Sequence, residues 1–94
     1  MHERALMLDL IAKIDDVARA GNAKRVTKVS VRLGALSHFT PEHFAEHFVD
    51  ASAGTIAEGA EVVAVGDGDV NAADAAGVVL ESVELEVRAT AEAR

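Results

Sequence analysis

The sequence predicts an α+β domain in which two helices pack on one face of a three-stranded sheet, in the order helix, strand, helix, strand, strand. Three observations predict it. Apolar residues recur at helical spacing over residues 5–20, apolar and polar residues alternate over residues 25–33 and again near the carboxyl end, and Thr40-Pro41-Glu42 has the signature of a helix start.

In the first helix Leu6, Met7, Leu10, Ile11, Ile14, Val17 and Ala18 form the apolar side, and Asp9, Lys13, Asp16 and Arg19 fall opposite. Gly21-Asn22 supplies its C-cap. In the strand that follows, Val29, Val31 and Leu33 face one way and Lys28, Ser30 and Arg32 the other, until Gly34 ends it. Thr40 then reads as an N-cap, Pro41 as the first helical residue and Glu42 as an acid in the first turn. The spacing predicts a helix over residues 41–53 that buries Phe44, Phe48 and Ala51, with Gly54 as its stop. Residues 60–65 and 79–87 read as strands, the latter with Val83, Leu85 and Val87 alternating with Ser82, Glu84 and Glu86. Between them residues 66–77 are acidic and poor in large apolar groups, so a mobile connection is expected, and residues 89–94 are expected to fray. No internal repeat is visible.

With 94 residues there is room for one domain and one modest core. Its only aromatic residues are three phenylalanines, so Ala, Val, Leu and Ile must supply most of that core. The formal charge of −7 repels phosphate backbones and argues against nucleic acid or an anionic membrane as the main partner. Lys24, Arg25 and Lys28 cluster, but Val26 and Thr27 interrupt them, as in the solvated lead-in to a strand. There is no cysteine, hence no disulfide and no thiolate metal site. No charged-then-apolar leader and no stretch near the ~20 apolar residues of a membrane span is present, so a soluble cytoplasmic protein is expected.

The residues with the most distinctive chemistry are Met1, His2 and Glu3. The Met1 amine, the His2 amide nitrogen and the His2 imidazole close fused rings around one ion, and the Glu3 amide nitrogen is close enough to be a fourth donor. Four nitrogens in a plane suit nickel(II) or copper(II), whereas zinc prefers a tetrahedron. Histidine at position 2 is bulky enough to discourage trimming of the initiator, so Met1 is expected to remain and supply its amine. Uptake must displace protons from nitrogen, so affinity is expected to fall on acidification.

Several blocks resemble the HypA/HybF family. They are Met1-His2-Glu3, Ala23-Lys24-Arg25-Val26-Thr27-Lys28-Val29, Gly34-Ala35-Leu36-Ser37, Pro41-Glu42, and Gly54-Thr55-Ile56-Ala57-Glu58-Gly59-Ala60-Glu61, in order across roughly residues 1–65. The resemblance implies a nickel metallochaperone acting in maturation of nickel-iron hydrogenases and, in some bacteria, urease. By the same resemblance nickel(II) is held at Met1, His2 and Glu3, and the partners are a HypB-type GTPase and the hydrogenase large-subunit precursor. The family normally carries a zinc module with two Cys-x-x-Cys pairs between the last two strands, where this chain has only the acidic link of residues 66–77. A single nickel-binding domain without structural zinc is therefore expected. The alternative is a metal-independent docking module of the same fold in maturation complexes.

Other candidates have plainer readings. His43-Phe44-Ala45-Glu46-His47 matches the H-x-x-E-H pattern of inverted zinc peptidases, with Glu46 as base, but the chain is far shorter and offers no identifiable third ligand. Two histidines at this spacing are usually polar surface, and at most trap a stray divalent ion. His38 is a loop histidine that would assist a metal only if its loop folds near the amino terminus. Asp67, Asp69 and Asn71 mimic the opening of a calcium loop, but Ala72 and Val78 stand where glycine and glutamate are required. No nucleophile and base pair as in a catalytic site, so no enzyme is expected.

Overall fold

The computed structural model describes residues 2–66, 68, 71 and 77–88, with the backbone alone for His2 and Glu3. Its elements are α1 (His2–Ala20), β1 (Ala23–Leu33), α2 (Pro41–Ser52), β2 (Glu61–Gly66) and β3 (Val78–Val87). This is the predicted order. The sheet runs β2-β1-β3, with β1 central, parallel to β2 and antiparallel to β3. α1 packs on β1 and β3, α2 packs on β2, and the helices touch each other. The expected fraying of residues 89–94 and most of the link before β3 lie outside the described residues.

α1 buries Met7, Leu10, Ile14 and Ala18, a stripe of steps of three and four. Val17, expected on that face, is 44% exposed because it sits at the rim of the stripe. On the solvent side Lys13 pairs with Asp9 at 3.3 Å and Arg19 with Asp15 at 2.9 Å, both one turn apart. The helix ends as its sequence predicts, with a division of labour between Gly21 and Asn22. Asn22 takes the left-handed conformation at φ 56°, which asparagine tolerates better than most residues. Gly21 serves close approach instead, since a Cβ there would lie 2.7 Å from Leu85 Cδ1.

The buried side of β1 is Ala23, Val26, Val29, Val31 and Leu33. Strict alternation holds from Val29 onward. Before it the step is three, and register shifts against β3 between Ala23 and Arg25 and between Val26 and Lys28 absorb the extra residues. Without the shift at Thr27, Val26 would face away from Val29; with it, Val26 is fully buried. The Thr27 hydroxyl donates to the Glu84 carbonyl at 3.1 Å and secures that irregularity. Opposite Val29 and Val31 stand Val83 and Leu80 of β3 and Val62 and Ala64 of β2. These side chains meet Phe44 and Phe48 of α2 and the α1 stripe in one core.

On the other sheet face, charged side chains of β1 and β3 pair with one another beside Val63 and the exposed Val65 of β2. Arg25 donates to Glu86 at 2.6 Å, and Arg32 to Glu81 at 3.2 Å. Lys24 reaches the second Glu86 oxygen at 3.9 Å, and Lys28 approaches Glu84 at 4.0 Å. The basic cluster noted in the sequence therefore faces acids of β3. Among the described residues no helix is long and apolar enough to cross a membrane.

Candidate metal centre

α1 begins at His2. Only the two residues Gly21 and Asn22 separate it from β1, and the two elements pack together, so α1 runs back along the strand. Its first turn therefore lies at the end of the domain where β1 finishes, away from the Gly21-Asn22 turn. From that same end residues 34–40 lead into the first turn of α2. The Gly34 amide donates to the Gly77 carbonyl at 2.9 Å, which ties the start of this loop to the start of β3. The first turn of α1 and the loop that leads into α2 thus lie at one pole of the fold.

The first amides of an α-helix have no intrahelical acceptor. At α1 these include the amides of His2 and Glu3, two of the nitrogens the sequence singles out. Recruiting them to an ion breaks no helical hydrogen bond. Met1 lies outside the described residues, as do the side chains of His2 and Glu3. The fit to nickel rests on the donor set itself, an amine, two amides and an imidazole in consecutive residues.

α2 starts as expected. Thr40 is the N-cap, its hydroxyl accepting the His43 amide at 3.1 Å, and Pro41 opens the first turn. Phe39, before the cap, sets its ring edge-on to Phe44, centroids 5.6 Å apart, which forms a hydrophobic staple. Phe39 also contacts His43 at 5.8 Å and His47 at 6.3 Å, and the two imidazole centroids are 4.4 Å apart. The sequence reading passed over Phe39, although an apolar residue before a cap, five positions ahead of a buried one, was the available signal.

His38 is exposed, with a left-handed backbone at φ 67°. Among the described residues no three His, Asp or Glu side chains are arranged to hold one ion. Asp67 and Asp69 lie outside the described residues.

The last of the sequence blocks proves to be an ordered loop between α2 and β2. Gly54 and Gly59 both take φ 80°, and the Gly54 amide donates to Glu58 Oε1 at 3.2 Å. Ala57 is fully buried. The Val26 amide donates to the Ile56 carbonyl at 3.0 Å, joining this loop to the central strand. The block is a structural device that sets β2 beside β1.

Comparison with known proteins agrees with this architecture. A family model described as "Hydrogenase/urease nickel incorporation, metallochaperone, hypA" matches residues 1–71. The chain is 43% identical over 63 residues to the hydrogenase maturation factor HypA of Aquifex aeolicus, covering 67% of this chain and 55% of that one. It is 38% identical over 71 residues to the HypA of Methylocella silvestris, covering 72% of this chain and 63% of that one. The matched stretch thus spans little more than half the length of such relatives. The solution structure of the Ni metallochaperone HypA from Helicobacter pylori shares the fold, with a TM-score of 0.74 at 17% identity over 92% of this chain and 98% of that one. On the extent of the family match, this chain belongs to the HypA family.

Proposed function

We propose that this protein is a non-catalytic nickel carrier of the cytoplasm, which takes Ni(II) as cargo at Met1, His2 and Glu3 and delivers it to maturation of a nickel-iron hydrogenase. The observation that carries the reading is the onset of α1 at His2, since it leaves the two amide donors without helical partners. The family match beginning at residue 1 supports it. In this reading the Met1 amine and the His2 imidazole provide the outer donors, and the amides of His2 and Glu3 complete the plane after losing their protons to solvent. Two amidate charges neutralise the dication, so the positive end of α1 does not repel the loaded site. Reprotonation of the amine or imidazole opens the plane and lets the ion go.

The partners in this reading are a HypB-type GTPase and the hydrogenase large-subunit precursor, with urease maturation the other destination named for the family. The 94 residues act as one nickel-binding domain, and the acidic link of residues 66–77 stands where the family carries its zinc module. With no cysteine in the chain, no thiolate zinc site forms.

Calorimetric nickel titration of the untagged protein tests the proposal, alongside His2→Ala and a variant with one residue added before Met1. One high-affinity ion per chain, lost in both variants, is expected, while any weaker binding at other histidines is left unchanged by them. Tight binding that survives both changes eliminates the amino-terminal site. Absence of nickel binding in the parent protein favours the metal-independent docking module.

A further inference from the structure

The imidazole pair on α2 is not among the donors proposed for the amino-terminal chelate, and its ring separation is that of a ligand pair. His43 and His47 are one helical turn apart, and their ring centroids are separated by 4.4 Å. Two imidazoles that bind one ion in cis through nitrogens at about 2.0–2.1 Å place their centroids roughly 4.5 Å apart at a right angle and roughly 5 Å apart at a tetrahedral one. The pair already stands at nearly the right-angle separation. His43 is exposed and His47 half-buried, so an ion can reach them from solvent.

Their surroundings are ordered. Phe39 contacts both imidazoles and is itself stapled to Phe44, which is fully buried. The Thr40 cap holds the His43 amide at 3.1 Å. A pair backed by a core-anchored ring on a capped turn loses less rotamer freedom on binding than two free side chains. The positive end of α2 opposes a cation, and the flanking acids Glu42 and Glu46, in a chain of net charge −7, offset it.

We propose that His43 and His47 chelate a divalent ion of the nickel and copper class at a second site, independent of the amino terminus, with water in the remaining positions. Imidazole nitrogen suits these metals. The nearly right-angle separation suits the tetragonal geometry of these metals better than the tetrahedron of zinc. An ion held by two protein ligands exchanges readily, as befits a temporary holding position.

The test uses the full chain carrying His2→Ala, titrated with NiCl2 and with CuCl2 while histidine ring resonances are followed by NMR. One equivalent is expected to bind, with paramagnetic broadening first at His43 and His47. Either His43→Ala or His47→Ala should weaken binding by at least about tenfold, since a chelate is reduced to a single donor. A variant combining His47→Ala with Ala45→His keeps the number of imidazoles but breaks the one-turn spacing, and should bind no better than His43→Ala. Equal affinity in the shifted and parent proteins overturns the proposal, as does broadening centred on His38. Should a variant lose its circular dichroism, the pattern of broadening in the His2→Ala parent decides alone. The amino-terminal reading is judged separately, from wild type against His2→Ala, so the two can fail independently.

Discussion

The Thr55 hydroxyl donates to the Ser52 carbonyl at 2.6 Å and accepts the Ala57 amide at 3.1 Å, so one side chain links the end of α2 to the buried residue of the next loop. Ser52 offers one of the carbonyls that a helix end leaves without an intrahelical donor. Thr55→Val keeps the shape and removes both bonds. It is expected to cost about 1–2 kcal/mol, read as a lower urea midpoint with unchanged slope, and Thr55→Ser should recover most of the loss. A Thr55→Val midpoint equal to wild type would show that the loop holds without its hydroxyl.

Gly21→Ala places a methyl against Leu85, where the Cβ would meet Cδ1 at 2.7 Å. The obstacle is the end of a flexible side chain in a partly buried position, so the expected cost is about 1 kcal/mol, at the low end for overpacking. Leu85→Val removes the δ carbons at its own cost of about 1 kcal/mol. Combined, the two should destabilise by less than their sum, because the second change clears space for the first. Strict additivity in thermal or urea unfolding would place the effect of Gly21 in its backbone rather than in this contact.

The parts of this fold that are local in the chain were legible from its residues. The start of α2 could be read because Thr40, Pro41 and the first-turn acid act within one turn, and the order of elements followed from two periodicities. The strand order and the parallel pairing of β1 with β2 were not legible, since they depend on where the α2 crossover lands. The irregularities at Lys24 and Thr27 arise between strands, yet the three-residue steps from Ala23 to Val26 to Val29 carried their trace. At the candidate site the facing of His43 and His47 followed from their spacing, whereas the wall formed by Phe39 required the cap and staple to be recognised together. The Met1, His2 and Glu3 chelate was legible only as chemistry, because two of its donors are backbone atoms that every chain possesses.

Arg25 and Glu86 form the shortest of the cross-strand ion pairs described, at 2.6 Å, but their side chains remain 56% and 43% exposed. Solvent screens such a pair, so a double-mutant cycle on Arg25→Ala and Glu86→Ala is expected to give a coupling below about 1 kcal/mol that shrinks further in high salt. Lys24 shares the same carboxylate at 3.9 Å and should take over part of the interaction in Arg25→Ala. A salt-insensitive coupling of several kcal/mol would mean that this face is covered in solution.

The number of protons released on nickel uptake separates the proposed nitrogen plane from imidazole coordination alone. At pH 7 an amine with an ordinary value of about 7.7–8.0 is mostly protonated and an imidazole near 6.5 mostly neutral. Binding through two amidates, the amine and the imidazole therefore releases about three protons: two from the amides, most of one from the amine and a fraction from the ring. By linkage, affinity should fall by about a thousandfold for each unit of acidification near neutrality. Nickel calorimetry in buffers of different ionisation enthalpy measures the count directly. A site made only of imidazole nitrogens displaces no amide proton, so His2→Ala, if it retains ions at His43 and His47, should show a much shallower pH dependence. A wild-type count below about one would exclude the amidate plane while leaving the α2 site possible.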